Sequence, residues 1–303
     1  MIRNGFLTIM LLAGIFVPGQ LSSSGGALRS ANSSNLPAPK PKRVTNRPAN
    51  IMGEVMVLMY HRIGDKEANM VRSRANFKSD LARLYKDGYR PVTLRDYATG
   101  KMNLPPGASP VVLTFDDSWV DQFRFKKDGT IDSDCFVGIW LNFAKTHPDF
   151  PVKGTFFVLD NGPFGVKKEG RKKIKMLQDW GSEIASHTMN HIDLRKSSSS
   201  KIMREVGESV IWLENLGAKV TSLAPPFGSY PTSSLIKNGF NYKGRKISFS
   251  AVVAAGAGPG RSPLDKKFRP YIIPRIKAYE GEKGITWWLN KASKGKVELY
   301  VQP

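Results

Sequence analysis

Short, uninterrupted apolar runs alternate along this chain with stretches in which apolar residues recur every three or four positions. The runs begin with Val55-Met56-Val57-Leu58-Met59-Tyr60 and continue with Pro91-Val92-Thr93-Leu94, Val111 to Phe115, Gly154 to Val158 and Val220 to Leu223. Later runs predict strands at Ile247 to Val253 and Tyr271 to Ile273. Such runs read as strands of a buried, mostly parallel sheet. Between them, Phe77, Leu81, Leu84 and Tyr85 share a helical face that stops at Gly88, and Ile202, Val206, Val210 and Leu213 share one that stops at Gly217. From Glu54 onward the pattern is one of consecutive βα units, and about seven of them favour an α/β barrel over an open sheet. The chain has no internal repeat.

One stretch breaks the pattern. Phe123 to Phe136 contains the tight-turn signal Lys127-Asp128-Gly129-Thr130 between short alternating segments, which predicts a β-hairpin insertion. It follows two adjacent aspartates directly, so it is expected beside the mouth of the site, either shaping a groove or covering an edge. Trp140 and Trp287-Trp288 are open between sugar-stacking surfaces and core, with the latter pair suiting a packed helix within Gly284 to Ala292.

Composition changes the picture mainly at the N-terminus. With 303 residues and 41% hydrophobic content, the chain can fill one large domain. Arg3 followed by the uncharged run Phe6 to Val17, with Gly25-Gly26-Ala27 as a candidate cleavage site, reads as a signal peptide over residues 1–27. This mostly apolar run of twelve residues falls short of the ~20 that span a bilayer. Residues 28–50, rich in Ser, Asn, Pro and basic side chains, are expected to form a flexible basic linker before a domain at 51–303. The expected location is therefore the periplasm or the extracellular space.

The formal charge is +21, and the first fifty residues hold six Lys and Arg and no acid, so +15 belongs to the remainder. A basic surface of this size suggests an anionic membrane or envelope surface as surroundings. Nucleic acid is not expected of an exported chain without a nucleic-acid motif. The single cysteine, Cys135, excludes a disulfide framework and a disulfide-linked partner is not expected.

The candidate chemistry lies in Leu113-Thr114-Phe115-Asp116-Asp117 and Ser186-His187-Thr188-Met189-Asn190-His191. The aspartates emerge at the C-terminal end of a strand, where α/β folds gather their ligands. If their segment is helical, His187 and His191 share a face, and imidazole suits a zinc-like ion. Paired aspartates also cap helices, and the spacing of the histidines arises by chance. Their joint occurrence in a chain of only four histidines, with His61 closing another strand-like run, points to a hydrolytic metal site.

These residues resemble the polysaccharide deacetylases of carbohydrate esterase family 4, the NodB-homology fold. Thr114-Phe115-Asp116-Asp117 resembles the first motif, His187-Thr188-Met189-Asn190-His191 the second and Ala224-Pro225-Pro226-Phe227-Gly228 the third, with Gly154 to Val158 as the strand between the first two. The resemblance spans about Glu54 to Ile276 and implies a distorted (β/α)7-type barrel. Leu58-Met59-Tyr60-His61 further resembles the poly-N-acetylglucosamine deacetylases, in which the motif carrying the catalytic acid lies at the start of the domain.

The resemblance implies a divalent metal held by Asp117, His187 and His191: zinc first, with cobalt, nickel or manganese suiting the same donors. It makes Asp116 the general base, His61 the general acid and the Phe227 N–H an oxyanion donor, with Pro225 and Pro226 pre-setting the turn. The family's late Leu-x-x-His motif is absent, as expected if His61 replaces it. Ala224 stands where many members carry an arginine that orients the base. Arg275 is the candidate substitute, since its planar fork suits a carboxylate, although it also reads as an ordinary surface arginine. The activity implied is removal of acetyl groups from an N-acetylated polysaccharide, poly-β-1,6-N-acetylglucosamine before peptidoglycan or chitin-like polymers. The rivals are a same-fold hydrolase of other amides or O-acetyl esters, and a silent glycan-binding protein.

Overall fold

A computed structural model describes residues 42–160, 162–231 and 233–303. The expected signal peptide and the first part of the expected linker lie outside the described residues. The strands are β1 (Met56–Tyr60), β2 (Arg62–Gly64), β3 (Val71–Ser73), β4 (Tyr89–Pro91), β5 (Ser109–Phe115) and β6 (Thr155–Val158). They continue as β7 (Glu183–Ser186), β8 (Ser222–Leu223), β9 (Phe240–Tyr242), β10 (Arg245–Ile247), β11 (Ala251–Ala257) and β12 (Ile273–Lys277). Seven close into a parallel barrel in the order β1, β5, β6, β7, β8, β11, β12 and back to β1. The fold is thus the seven-stranded (β/α) barrel expected from the sequence. β4 pairs with the lower part of β5, Tyr89 opposite Ser109, and β6 takes the upper part of the same edge at Thr114 and Phe115.

The barrel sorts its side chains by the period of two that a pleated strand imposes. Met56, Leu58 and Tyr60 of β1 and Val111, Leu113 and Phe115 of β5 point outward into the layer beneath the helices, with Phe77, Leu81 and Leu84 of helix Arg74–Lys86 and Trp140 of helix Phe136–Thr146. Val55 and Val57, Val112, Phe157, Ala185, Ala251, Val253 and Ile273 form the inner cluster. Its lower end is closed by the short helix Leu94–Ala98 and by Tyr300. There the buried Glu183 carboxylate accepts hydrogen bonds from the Arg95 N–H, Thr155, Thr221 and Ser222.

Several expectations need correction. The run Pro91 to Leu94 is not a strand: β4 ends at Pro91, and Thr93 caps the next helix, its hydroxyl accepting from the Asp96 N–H. Ile247 to Val253 is two strands, because Ile247 closes an antiparallel pair with Phe240 and the barrel strand starts only at Ala251. The linker expected over 28–50 packs against the barrel in its described part. Val44 N–H bonds to Pro106 O, Thr45 Oγ1 to Gly107 O at 2.6 Å, and Asn50 pairs with Val301. A side chain at Gly88 (φ +78°) would collide with Thr45, so this docking also needs glycine at the helix end.

The expected hairpin over Phe123 to Phe136 shrinks to one antiparallel bridge, Phe125 with Ile131, around a turn at Gly129. Its aromatic residues are drawn away from the mouth: Phe123 is fully buried against Phe164 and Trp180. Trp140 is core, its indole N–H bonded to Phe150 O. Cys135 is buried and unpaired. Among the described residues no helix is long and apolar enough to cross a membrane.

Candidate active site

The same alternation that fills the barrel delivers its chemistry. On β5, Val112 and Thr114 face inward and Asp116 comes next; on β7, Glu183 and Ala185 precede His187; on β12, Ile273 precedes Arg275. His61 follows Met59 by the same count on β1. Four polar side chains, three just beyond strand ends and Arg275 within β12, thus meet at the C-terminal mouth of the barrel, in a cavity of about 780 Å3.

Two neighbouring residues of a strand point to opposite faces, so Asp116 and Asp117 cannot both enter the mouth while β5 continues. The chain leaves the strand through a left-handed turn at Asp117 (φ 72°) and Ser118 (φ 49°), which swings the second carboxylate to the same side. Aspartate tolerates this conformation better than most residues. The Asp116 N–H still bonds to Tyr60 O, extending the β1–β5 ladder by one residue.

His187 and His191 converge without a helix. The segment after β7 is irregular, with Thr188 (φ 67°) and His191 (φ 52°) left-handed, which corrects the helical face considered above. The His187 Nε2 lies 3.2 Å and the His191 Nε2 3.3 Å from the same oxygen, Asp117 Oδ1. One ligand atom from each of the three lies within 4.8 Å of the others. His187 Nδ1 is 2.7 Å from Ala224 O. That contact sets Nδ1 as the donor and leaves the Nε2 lone pair facing the site. Burial would raise the Asp117 carboxyl, but the imidazoles of His187 and His191 facing it outweigh that and hold the group well below the usual range. An ionised carboxylate and two imidazole nitrogens aimed at one point suit a divalent cation.

Asp116 is only 2% exposed and does not belong to that set. Arg275, 1% exposed, meets it with two parallel bonds, Nη1 to Oδ1 at 2.7 Å and Nη2 to Oδ2 at 2.9 Å. The guanidinium is itself held by Ala254 O and Thr114 Oγ1. Burial pushes the Asp116 carboxyl up, while the charges of Arg275, His187 and His61 pull it down, and the net shift is downward. His61 Nε2 lies 3.8 Å from Asp116 Oδ2. Burial lowers its pKa against the opposing pull of Asp116 and Asp117.

Phe227 lies across the mouth. Its turn is left-handed (φ 60°), Pro226 beside it is buried, and its ring is 70% exposed and stands 4.7 Å from the His191 ring. Gly228 and Ser229 use the carbonyls of Pro225 and Pro226, while the Phe227 N–H has no backbone acceptor among the described residues. From Asp117, His187 and His191 the cavity runs past Tyr60 toward Glu67, Arg72 and Glu280. Arg72 is buried there, bonded to Asp80 through Nε and Nη2 and to Glu280 through Nη1 at 2.6 Å.

Two residues at the site were not singled out in the sequence. Trp119 donates its indole N–H to Asp117 Oδ2 at 3.1 Å. Gln122, fully buried, donates to the carbonyls of both His61 and Asp116. Their one signal is proximity to Asp117, because polar side chains in a turn after an active-site strand have local partners.

Residues 103–242 match the family model for polysaccharide deacetylase. The putative polysaccharide deacetylase YxkH of Bacillus subtilis (strain 168) is 21% identical over 196 residues, which cover 63% of this chain and 61% of that protein. The chain therefore spans about three fifths of that relative's length. Among solved structures, the Streptococcus pyogenes deacetylase PplD in complex with acetate aligns with a TM-score of 0.55 at 21% identity, covering 75% of this chain and 92% of its own. The polysaccharide deacetylase BC0361 of Bacillus cereus aligns with a TM-score of 0.58 at 20% identity, over 79% and 69% respectively. These two likenesses establish the fold.

Proposed function

We propose that this chain, whose residues 103–242 match the polysaccharide deacetylase family model, is a metal-dependent N-deacetylase that releases acetate from an N-acetylated polysaccharide and leaves free amines. The observation that carries this reading is the junction of two distinct carboxylates in one mouth. Asp117 shares a point with two imidazoles, while Asp116 is held apart by Arg275.

Asp117, His187 and His191 would hold the divalent ion, zinc first among those the donors suit. When bound, such an ion supplies positive charge that polarises the acyl oxygen and acidifies water. Asp116, ionised and fixed by Arg275, accepts the proton of the attacking water. The Phe227 N–H donates to the oxygen that becomes negative, a type of contact worth ~10²–10³-fold in rate. His61 supplies a proton to the departing nitrogen, since an amine anion is a very poor leaving group.

The position of His61 at the end of β1 supports poly-β-1,6-N-acetylglucosamine as the substrate, through the likeness of Leu58 to His61 to the motif of that branch. The basic charge of the domain and the apolar run at Phe6 to Val17 support an exported enzyme working at an anionic envelope surface. Acetate release from a panel of glycans tests the whole reading. Turnover of N-acetylated but not O-acetylated polymers is expected. Release from O-acetyl esters alone would establish the esterase instead, and binding without release would establish a glycan-binding protein.

A further inference from the structure

Asp117 has two carboxylate oxygens, and the structure gives them different partners. Oδ1 faces both imidazole Nε2 atoms, at 3.2 and 3.3 Å. Oδ2 accepts the Trp119 indole N–H at 3.1 Å. Asp117 sits in a left-handed turn beyond the end of β5, so no strand ladder fixes the direction of its side chain. What fixes it is what the carboxylate touches.

An indole N–H suits this task. It donates and has no lone pair in the ring plane, does not titrate near neutral pH and cannot itself bind the cation. The ring is in turn clamped. The Arg62 guanidinium stands 4.8 Å from its centroid, and Arg62 Nε is bonded to Asp121 Oδ2 at 2.9 Å. The Asp121 side chain is 8% exposed, so the clamp rests on the body of the protein. Trp119 is nevertheless 39% exposed at the barrel mouth. A large apolar ring left there is accounted for if its N–H, rather than its burial, is what the site uses.

We infer that Trp119 is a positioning residue for the metal centre: its indole N–H occupies Asp117 Oδ2 and presents Oδ1 alone to the point shared by His187 and His191. A carboxylate held in this way would offer a cation one oxygen rather than two. This extends the reading of Asp117, His187 and His191 as ligands and rests on it.

Zinc binding to the metal-stripped full-length protein, followed by competition with a chromogenic chelator, tests the inference. The Trp119 indole is replaced by its benzothiophene isostere, which keeps the ring and its stacking on Arg62 but has sulfur in place of N–H. Zinc affinity is expected to fall about tenfold or more, the usual effect of losing a bond to a ligand. Trp119→Phe should lose at least as much, and the visible spectrum of the cobalt-loaded isostere should differ from that of wild type. Wild-type affinity and spectrum in the isostere would overturn the inference, and would leave the ring as a sugar platform or mere packing. Asp117→Asn separates the two levels. If it abolishes zinc binding while the isostere does not, only the role of Trp119 fails; if the wild-type protein binds no zinc, the ligand set fails first.

Discussion

Arg275 reaches Asp116 across 159 residues of sequence and meets it through two near-equal bonds, 2.7 and 2.9 Å long, at a place where neither side chain is more than 4% exposed. The planar fork fixes the orientation of the carboxylate as well as its charge. The resemblance drawn from the sequence implies an arginine where Ala224 stands, and in this structure the fork arrives from β12. Arg275→Lys is expected to keep the charge, lose the fork and lower kcat by ~10²-fold, the scale of a 1 Å misplacement. Zinc content should be unchanged. A lysine variant with full kcat would remove the orienting role; Arg275→Ala is the poorer test, since it leaves Asp116 buried and unpaired at a cost of ~3–5 kcal/mol.

The proposed metal dependence divides the histidines. Chelation is expected to abolish acetate release and zinc to restore it. His187→Ala removes a buried imidazole whose Nδ1 is anchored on Ala224 O, and is expected to lose metal and turnover together. Full activity in protein shown to be metal-free by elemental analysis would contradict the mechanism.

The proposed proton donor, His61, has its own signature. Burial lowers the His61 pKa below the ordinary 6.5, so the protonated form is lost as pH rises through that lowered value. A dication on the neighbouring ligands would push the same way. The descending limb of kcat/KM against pH should therefore lie below pH 6.5 and vanish in His61→Ala, with kcat lower by ~10²–10⁴-fold. An unchanged limb in that variant would assign the acid elsewhere.

The wall of the cavity makes a prediction about stability. Asp80 already stands at about 6, pushed up by burial against the pull of Arg72 and Tyr60. Arg72→Met removes the main opposing charge, so the native state must hold a proton that the unfolded chain releases near pH 4. A folded pKa raised in this way gives stability at low pH that is lost as pH rises through it. The variant should be ~3–5 kcal/mol less stable than wild type at pH 8, and the deficit should shrink at pH 5. Thermal melts at the two pH values check it; an equal deficit at both would show that Asp80 stays ionised without its partner.

Much of this arrangement was legible in the chain because local pattern and barrel geometry agree. The run Val111 to Phe115 announces a buried strand, and the period of two then fixes Asp116 inside it. The same count places Arg275 inside β12, although the sequence could not say which strand would face which. Legibility ends where backbone direction depends on non-glycine residues in left-handed turns. Thr188 and His191 give no sign of it in their identity, so His187 and His191 suggested a helix that does not form. Trp119 escaped notice for a related reason: its partner is one oxygen of a side chain two residues away, and no periodicity encodes it. Leu94 misled because an apolar residue after a strand-like run looks the same whether it ends a strand or opens a helix.

Asp117, Ser118, Thr188, His191 and Phe227, all at the mouth, hold positive φ without being glycine. Each such residue costs ~1–3 kcal/mol that the rest of the barrel must offset. Selection for heat resistance alone should therefore drift toward glycine at Thr188 and Phe227, gaining durability by relaxing the very turns that aim the imidazoles and the exposed amide. Variants chosen for survival would then be sturdier barrels and poorer catalysts, and the rim is where a directed-evolution campaign on this protein would have to forbid the easiest gains.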